Sequence, residues 1–181
     1  MKRFLLKLML TALIASTSLS AARGYTNDED FFGVFQIMGG TSQNYADTDL
    51  FGFGMRIAFP AVGENVYLGL MADVQLFSSG ESTAHLGFAM NIRIADELFL
   101  TGSYGWAAGY ADNNSTSSDV TGNFYDVGLQ YQLSEYIGFG VFYRDTAFST
   151  SIGTLNEQEI HYSFNIAMTR ETWMFFDLLF D

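Results

Sequence analysis

The sequence contains no cysteine, and it has only one proline among 181 residues. Without cysteine, a disulfide framework and a thiolate zinc site are both excluded. Lysine occurs only at Lys2 and Lys7, and the formal net charge is −12. A chain this acidic is repelled by nucleic acid, so nucleic-acid binding is excluded as a function class.

Long apolar runs are also missing, because no stretch after residue 22 approaches the roughly 20 apolar residues of a membrane-spanning helix. Residues 1–22 combine a basic start, a short apolar run and a small-residue end, with Ser20 and Ala22 before a plausible cleavage point. This is the pattern of a secretory signal peptide. We therefore divide the chain into a signal peptide, 1–22, and one exported domain, 23–181, with five arginines against 20 acidic residues.

The exported domain shows a repeated alternation of large apolar residues with small or polar ones. In "LFGFGMRIAF", residues 50–59, five bulky side chains alternate with Gly52, Gly54, Arg56 and Ala58. A period of two residues predicts β-strands, and no helical period competes with it. The predicted strands lie near 31–39, 49–59, 66–77, 83–94, 98–110, 123–133, 136–146 and 158–168.

The polar faces of these strands are dominated by glycine, alanine, serine, asparagine and glutamine. A solvated face would be richer in long charged side chains, whereas small residues suit the inside of a narrow closed barrel. The few charges on these faces have both signs, and unpaired they would be costly to enclose. We therefore predict an interior ion network of Arg56, Asp73, Arg93, Asp126 and Arg144.

The apolar faces would then meet lipid, with aromatic residues near the strand ends. The predicted fold is all-β, a closed antiparallel up-and-down transmembrane β-barrel of eight strands. Ten strands are the alternative, because residues 173–180 in "WMFFDLLFD" also alternate.

The connections between the predicted strands alternate in length. Those on one side are mostly long and polar, near 40–48, 78–82, 111–122 and 147–157. Those on the other side are mostly short, near 60–65, 95–97 and 134–135. Outer-membrane barrels have long extracellular loops and short periplasmic turns, which places the mature N-terminus in the periplasm. The loops near 40–48, 111–122 and 147–157 would carry any recognition.

Together, these features resemble the small eight-stranded bacterial outer-membrane barrels of the OmpA transmembrane-domain and OmpX/Ail type. The resemblance implies location in the bacterial cell outer membrane and contact with outer-membrane lipid and lipopolysaccharide. It also implies recognition of the C-terminal segment by the barrel-assembly machinery, with Phe180 similar to the terminal aromatic residue of such barrels. The predicted role is structural or surface-interacting around a filled polar interior, with no cofactor, no metal and an extracellular ligand that the sequence does not name.

Two other functions are kept as alternatives. One is a narrow porin-like pore or a channel for a hydrophobic ligand. The other is a lipid A-modifying enzyme, because His161 and Ser163 in "HYS" resemble the His-x-Ser element of the lipid A deacylases, although Phe164 replaces the asparagine that follows it there. The competing interpretation makes His161 and Ser163 polar members of an interior hydrogen-bond network, and we expect no enzyme activity.

Overall fold

The computed structural model describes residues 32–43, 48–63, 65–113, 116–134, 136–150 and 153–167. They form eight strands: β1 (Phe32–Ser42), β2 (Thr48–Val62), β3 (Val66–Phe77), β4 (Ser82–Ala95), β5 (Leu98–Asn113), β6 (Thr116–Gln132), β7 (Ile137–Thr150) and β8 (Gly153–Ala167). Within these ranges no helix is long and apolar enough to cross a membrane. The predicted signal peptide, 1–22, and the possible strand at 173–180 lie outside the described residues.

Each strand pairs antiparallel with its neighbour in the chain, and β1 pairs with β8 to close the sheet. The register between β1 and β8 runs from Val34 opposite Ala167 to Ser42 opposite Glu159. The predicted closed antiparallel up-and-down barrel of eight strands is confirmed. Because β1 and β8 pair with each other, the alternative of ten strands in this sheet is wrong.

The two faces of the wall have the predicted polarity. Phe88 and Trp106 point outward with 64% and 63% of their surface exposed, whereas Arg56 and Arg144 point inward and are 1% and 0% exposed. A polar interior behind an apolar exterior is the inverse of a soluble barrel and is typical of barrels that face lipid.

The apolar exterior has the height of a membrane. On β3 the outward positions from Val66 to Leu76 are all apolar. At about 3.3 Å per residue they cover about 33 Å of strand, or about 25 Å along the axis of a barrel whose strands tilt by about 40°. We call this outward apolar surface the belt.

Two of the predicted loops are wrong. The segment 111–122 is almost entirely strand, because β5 continues to Asn113 and β6 begins at Thr116. Likewise 147–157 belongs to β7 and β8 apart from 151–152. The polar residues of these segments are typical of loops, but pairing with the adjacent strand satisfies their backbone groups and overrides that preference.

The long hairpins β5–β6 and β7–β8 therefore extend the wall beyond the belt. Outward-facing residues there are polar and exposed, as at Asp119, Thr121 and Ser149. We call this end, which holds the connections after β1, β3, β5 and β7, the hairpin rim. The opposite end, where the chain enters β1 and leaves β8, is the terminal rim.

The interior also differs from the prediction, because it is not lined by small and polar residues alone. Tyr67, Phe99, Phe124, Phe142 and Phe148 are large inward side chains with at most 2% exposure. Two glycines, Gly128 and Gly140, supply room for the Phe142 ring. A Cβ added at Gly128 would collide with the Phe142 ring, since these two residues are register partners. Large and small inward residues thus fill the narrow lumen together.

A glycine pair between β4 and β5 tests this close packing. A Cβ at Gly105 would overlap the carbonyl oxygen of Leu86 and the Cα of Gly87. We expect Gly105→Ala to lower the free energy of unfolding by about 1–3 kcal/mol, measured by urea unfolding in detergent micelles. Gly102→Ala on the same strand is the control, because its Cβ would lie 3.5 Å from the Asp126 carbonyl oxygen. Equal losses for the two variants would contradict the expectation.

Candidate functional site

The centre of the lumen is crossed by a salt bridge between β3 and β7. Arg144 donates from Nη1 to Asp73 Oδ1 at 3.0 Å and from Nη2 to Asp73 Oδ2 at 2.5 Å. Nη2 also donates to Asp126 Oδ2 on β6 at 3.0 Å. A bidentate arginine–carboxylate pair is among the strongest and most directional hydrogen-bonded contacts in proteins. It links walls that are not neighbours in the sheet.

Arg56 on β2 bonds to Asp126 on β6 and so adds a second contact across the lumen. Its Nη2 donates to Asp126 Oδ2 at 2.8 Å, and its Nη1 donates to Ser103 Oγ at 2.6 Å. Its Nε donates to Gln36 Oε1 at 3.3 Å. Gln36 Nε2 in turn donates to Asn165 Oδ1 at 3.2 Å. We call Arg56, Asp73, Asp126 and Arg144 the ion layer; its two arginines are balanced by its two aspartates.

His85 on β4 adjoins the ion layer. Its Nδ1 lies 2.7 Å from Asp73 Oδ1 and 2.9 Å from Arg144 Nη1. Arginine can only donate and an ionised carboxylate can only accept, so one ring nitrogen cannot bond to both. The tautomer of His85 therefore decides whether Nδ1 donates to Asp73 or accepts from Arg144.

Two aromatic rings pack against the guanidinium groups of the ion layer. The Phe124 ring centroid lies 5.1 Å from Arg144 Cζ, and the Phe142 centroid lies 4.8 Å from Arg56 Cζ. The Phe142 ring also stacks on the His161 ring, with centroids 5.0 Å apart and planes 13° apart. Cation–π contacts of desolvated guanidinium groups add to the Coulomb attraction. Neither phenylalanine was predicted to face inward, because small and polar residues dominate that face in the sequence.

Arg93 lies away from the ion layer, so the structure brings together four of the five residues predicted for the network. Its Nη2 donates to the Tyr67 hydroxyl at 3.0 Å, and its guanidinium lies 5.5 Å from the Phe99 centroid. Arg93 and His85 share the inward face of β4, but eight residues of strand separate them by about 26 Å. The alternation of residues predicts that Arg93 faces inward, but it carries no information about the height of Arg93 along the barrel axis.

Two buried glutamates on β8 were not among the predicted site residues. Glu157 lies at the edge of the predicted loop 147–157, and Glu159 lies between that loop and His161. Glu159 is 0% exposed, and neither carboxylate oxygen has a hydrogen-bond partner; the nearest cation-forming atom is His161 Nδ1 at 3.9 Å. Glu157 lines a small cavity beside Phe148 and Leu155 near the hairpin rim. The signal available in the sequence was the alternation Glu157, Glu159, His161, which continues the inward face of β8.

The candidate catalytic pair His161 and Ser163 lies inside the lumen, with 1% and 3% exposure. Ser163 Oγ accepts a hydrogen bond from Gln36 Nε2 at 3.4 Å, and His161 Nδ1 has no hydrogen-bond partner. Both side chains point away from the belt. In the described part of the chain, no group of three or more histidine, aspartate or glutamate residues could hold a metal ion.

Comparison with known proteins identifies the fold. No family model and no curated protein matches the sequence. Among solved structures, Ail of Yersinia pestis is similar with a TM-score of 0.53 and 10% identity, over 81% of this chain and 100% of that chain. The N-terminal β-barrel domain of Pseudomonas aeruginosa OprF has a TM-score of 0.50 and 16% identity, over 73% and 96%. Neisserial surface protein A has a TM-score of 0.51 and 9% identity, over 75% and 96%.

At these identities the similarity is one of fold. The chain has the architecture of the small eight-stranded outer-membrane β-barrels. The apolar belt and the polar lumen give a physical reason for that architecture in this sequence.

The central salt bridge leads to a stability prediction. Arg144→Met removes the bidentate partner of Asp73 and one of the two arginines that contact Asp126, and it should cost about 3–5 kcal/mol of unfolding free energy. Adding Asp73→Asn removes the aspartate charge that Arg144→Met leaves buried without its arginine partner, so the double variant should recover part of that loss. Arg93→Met is the control and should cost about 1 kcal/mol, because Arg93 bonds to a neutral hydroxyl. Urea unfolding in micelles measures all three, and a double variant less stable than Arg144→Met would contradict the prediction.

Glu159 and Asp126 provide a matched pair of buried carboxylates. Glu159→Gln keeps the shape of a side chain that has no hydrogen-bond partner, so stability at pH 8 should stay unchanged or rise. Asp126→Asn removes the carboxylate that both arginines of the ion layer contact, and it should cost about 3 kcal/mol. The same unfolding assay tests both variants. Similar losses would show that Glu159 has a stabilising partner of its own.

Proposed function

We propose that this protein is a bacterial outer-membrane barrel with a structural or surface-interaction role rather than a transporter or an enzyme. The observation that carries this proposal is the filled lumen. Arg144 and Arg56 bridge β2, β3, β6 and β7 across its centre, and aromatic rings pack against both guanidinium groups. The surfaces left for interaction are then the belt and the two rims.

Location in the outer membrane is supported by the belt and by the named neighbours. A continuous apolar exterior on a closed sheet is stable in lipid, because every interior backbone group pairs within the sheet. Ail, which shares the fold, is an outer-membrane protein by name. We infer that the hairpin rim faces the cell exterior, since long hairpins are the extracellular side of such barrels.

The pore alternative is disfavoured by the same filling. Passage through the lumen would require the Arg144–Asp73 contact to open, which would leave desolvated charges without partners. The route would also have to pass the Phe124 and Phe142 rings.

The lipid A-modifying alternative is disfavoured by where its candidate residues lie. A lipid substrate approaches from the belt, whereas His161 and Ser163 are buried in the lumen. An activated serine needs a base within about 2.6–3.2 Å, and here Ser163 Oγ contacts Gln36 instead. Contact with lipopolysaccharide and recognition of the C-terminal segment by the barrel-assembly machinery stay predictions. An extracellular ligand would meet the extended β5–β8 wall at the hairpin rim.

The absence of native cysteine allows a direct test of embedding and orientation. Single cysteines are introduced at Asp119 on the hairpin rim, at Leu129 in the belt and at Glu97 on the terminal rim, and intact cells are treated with a membrane-impermeant maleimide. We expect Asp119→Cys to react in intact cells, since the hairpin rim faces outward. Glu97→Cys should react only after the outer membrane is permeabilised, and Leu129→Cys only after denaturation.

Two results would contradict the proposal in different ways. Labelling of Leu129→Cys in intact cells would show that the belt is not in lipid. Labelling of Glu97→Cys without Asp119→Cys would show the reverse orientation. A cysteine-free control measures background labelling, and heat-modifiable migration in detergent confirms that each variant is folded.

A further inference from the structure

All basic residues between positions 24 and 169 face the lumen. The sequence holds only three in this stretch, Arg56, Arg93 and Arg144, and no lysine. Arg56 and Arg144 are buried in the ion layer, and Arg93 is partly buried against the Tyr67 and Phe99 rings. The two histidines of the chain, His85 and His161, are buried as well. From residue 24 to residue 169, the belt and its rims therefore present no basic side chain.

Several acidic residues, in contrast, are found on the outside near both edges of the belt. Asp49 and Asp119 are exposed at the hairpin rim, and Asp96 and Glu97 are exposed at the terminal rim. Asp145 on β7 also faces outward, just beyond the belt. These are the heights at which a barrel meets the headgroup layers of a bilayer.

Two tyrosine hydroxyls at the belt edges bond to these acids. The Tyr131 hydroxyl donates to Glu97 Oε2 at 2.7 Å at the terminal rim. The Tyr125 hydroxyl donates to Asp145 Oδ2 at 3.4 Å toward the hairpin rim. Hydroxyl groups that could otherwise donate to lipid phosphates are thus engaged by the carboxylates of the protein.

This charge distribution determines which lipid layer fits the barrel. Basic residues near an anionic membrane surface gain about 1 kcal/mol each, and carboxylates at the same place are repelled by a similar amount. We propose that the barrel surface fits a headgroup layer whose phosphates are neutralised by divalent cations, and that it is disfavoured in a bare anionic layer. This inference rests on the proposed function, since it requires the belt to be in a membrane.

The test is refolding of the full-length protein into vesicles of defined composition. One set contains phosphatidylcholine alone, and the other contains phosphatidylcholine mixed with phosphatidylglycerol, each with Mg²⁺ or with Na⁺ at matched ionic strength. Heat-modifiable migration measures the folded fraction with time. We expect equal folding rates in phosphatidylcholine under both salts. In the anionic vesicles with Na⁺, folding should be at least about fivefold slower than in phosphatidylcholine. This factor is equivalent to about 1 kcal/mol for one surface charge. Mg²⁺ should restore the folding rate in the anionic vesicles.

Matched variants assign the effect to the rims. Glu97→Gln and Asp145→Asn each remove one outward charge and should reduce the difference between the vesicle types. Glu159→Gln makes the same substitution inside the lumen, so the lipid preference should be unchanged. An equal response to all three substitutions would overturn the role of the rims.

The outcomes separate the inference from the proposed function. Failure to fold in any vesicle would contradict the membrane barrel itself. Folding at equal rates in neutral and anionic vesicles with Na⁺ would overturn the inference and leave the barrel proposal standing. Folding in the anionic vesicles that is as slow with Mg²⁺ as with Na⁺ would also overturn it, because divalent cations would then not improve the fit of the barrel to the headgroup layer.

Discussion

The contact of Arg144 with Asp73 and Asp126 is the interaction on which the rest of this barrel depends. The large apolar side chains mostly face outward, so they cannot form a conventional protein core. Opposite walls are held together by polar contacts across the lumen and by two small apolar clusters inside it. Buried charges are tolerable only when paired and hydrogen-bonded, and the two arginines and two aspartates of the ion layer meet that condition.

The same ion layer restricts what the barrel can do. A salt bridge backed by Phe124 and Phe142 occupies the width of the lumen that an eight-stranded wall encloses. Chemistry inside is correspondingly limited: Ser163 bonds to Gln36, and His161 stacks on Phe142. Interaction is left to the outside, which consists of the belt, the terminal rim and the taller β5–β8 wall of the hairpin rim.

The ion layer also affects the charge of the outer surface. Every basic residue between positions 24 and 169 faces the lumen, whereas Asp119, Asp145 and Glu97 lie on the outside. Outside the ion layer, the lumen also holds the carboxyl groups of Glu157 and Glu159, and no further arginine accompanies them. Exposed carboxylates therefore remain at both rims, where headgroups lie.

The sequence by itself determined the faces of the wall, because side chains alternate along a strand with a period of two. That period, together with the small residues on one face, was enough to predict a closed barrel, eight strands and an inward Arg56. It could not predict which inward residues meet, because depth depends on the register of paired strands and on closure between β1 and β8. Only the tertiary structure joined Arg56 and Arg144 through Asp126, separated Arg93 from them, and paired the polar segments 111–122 and 147–157 as strands.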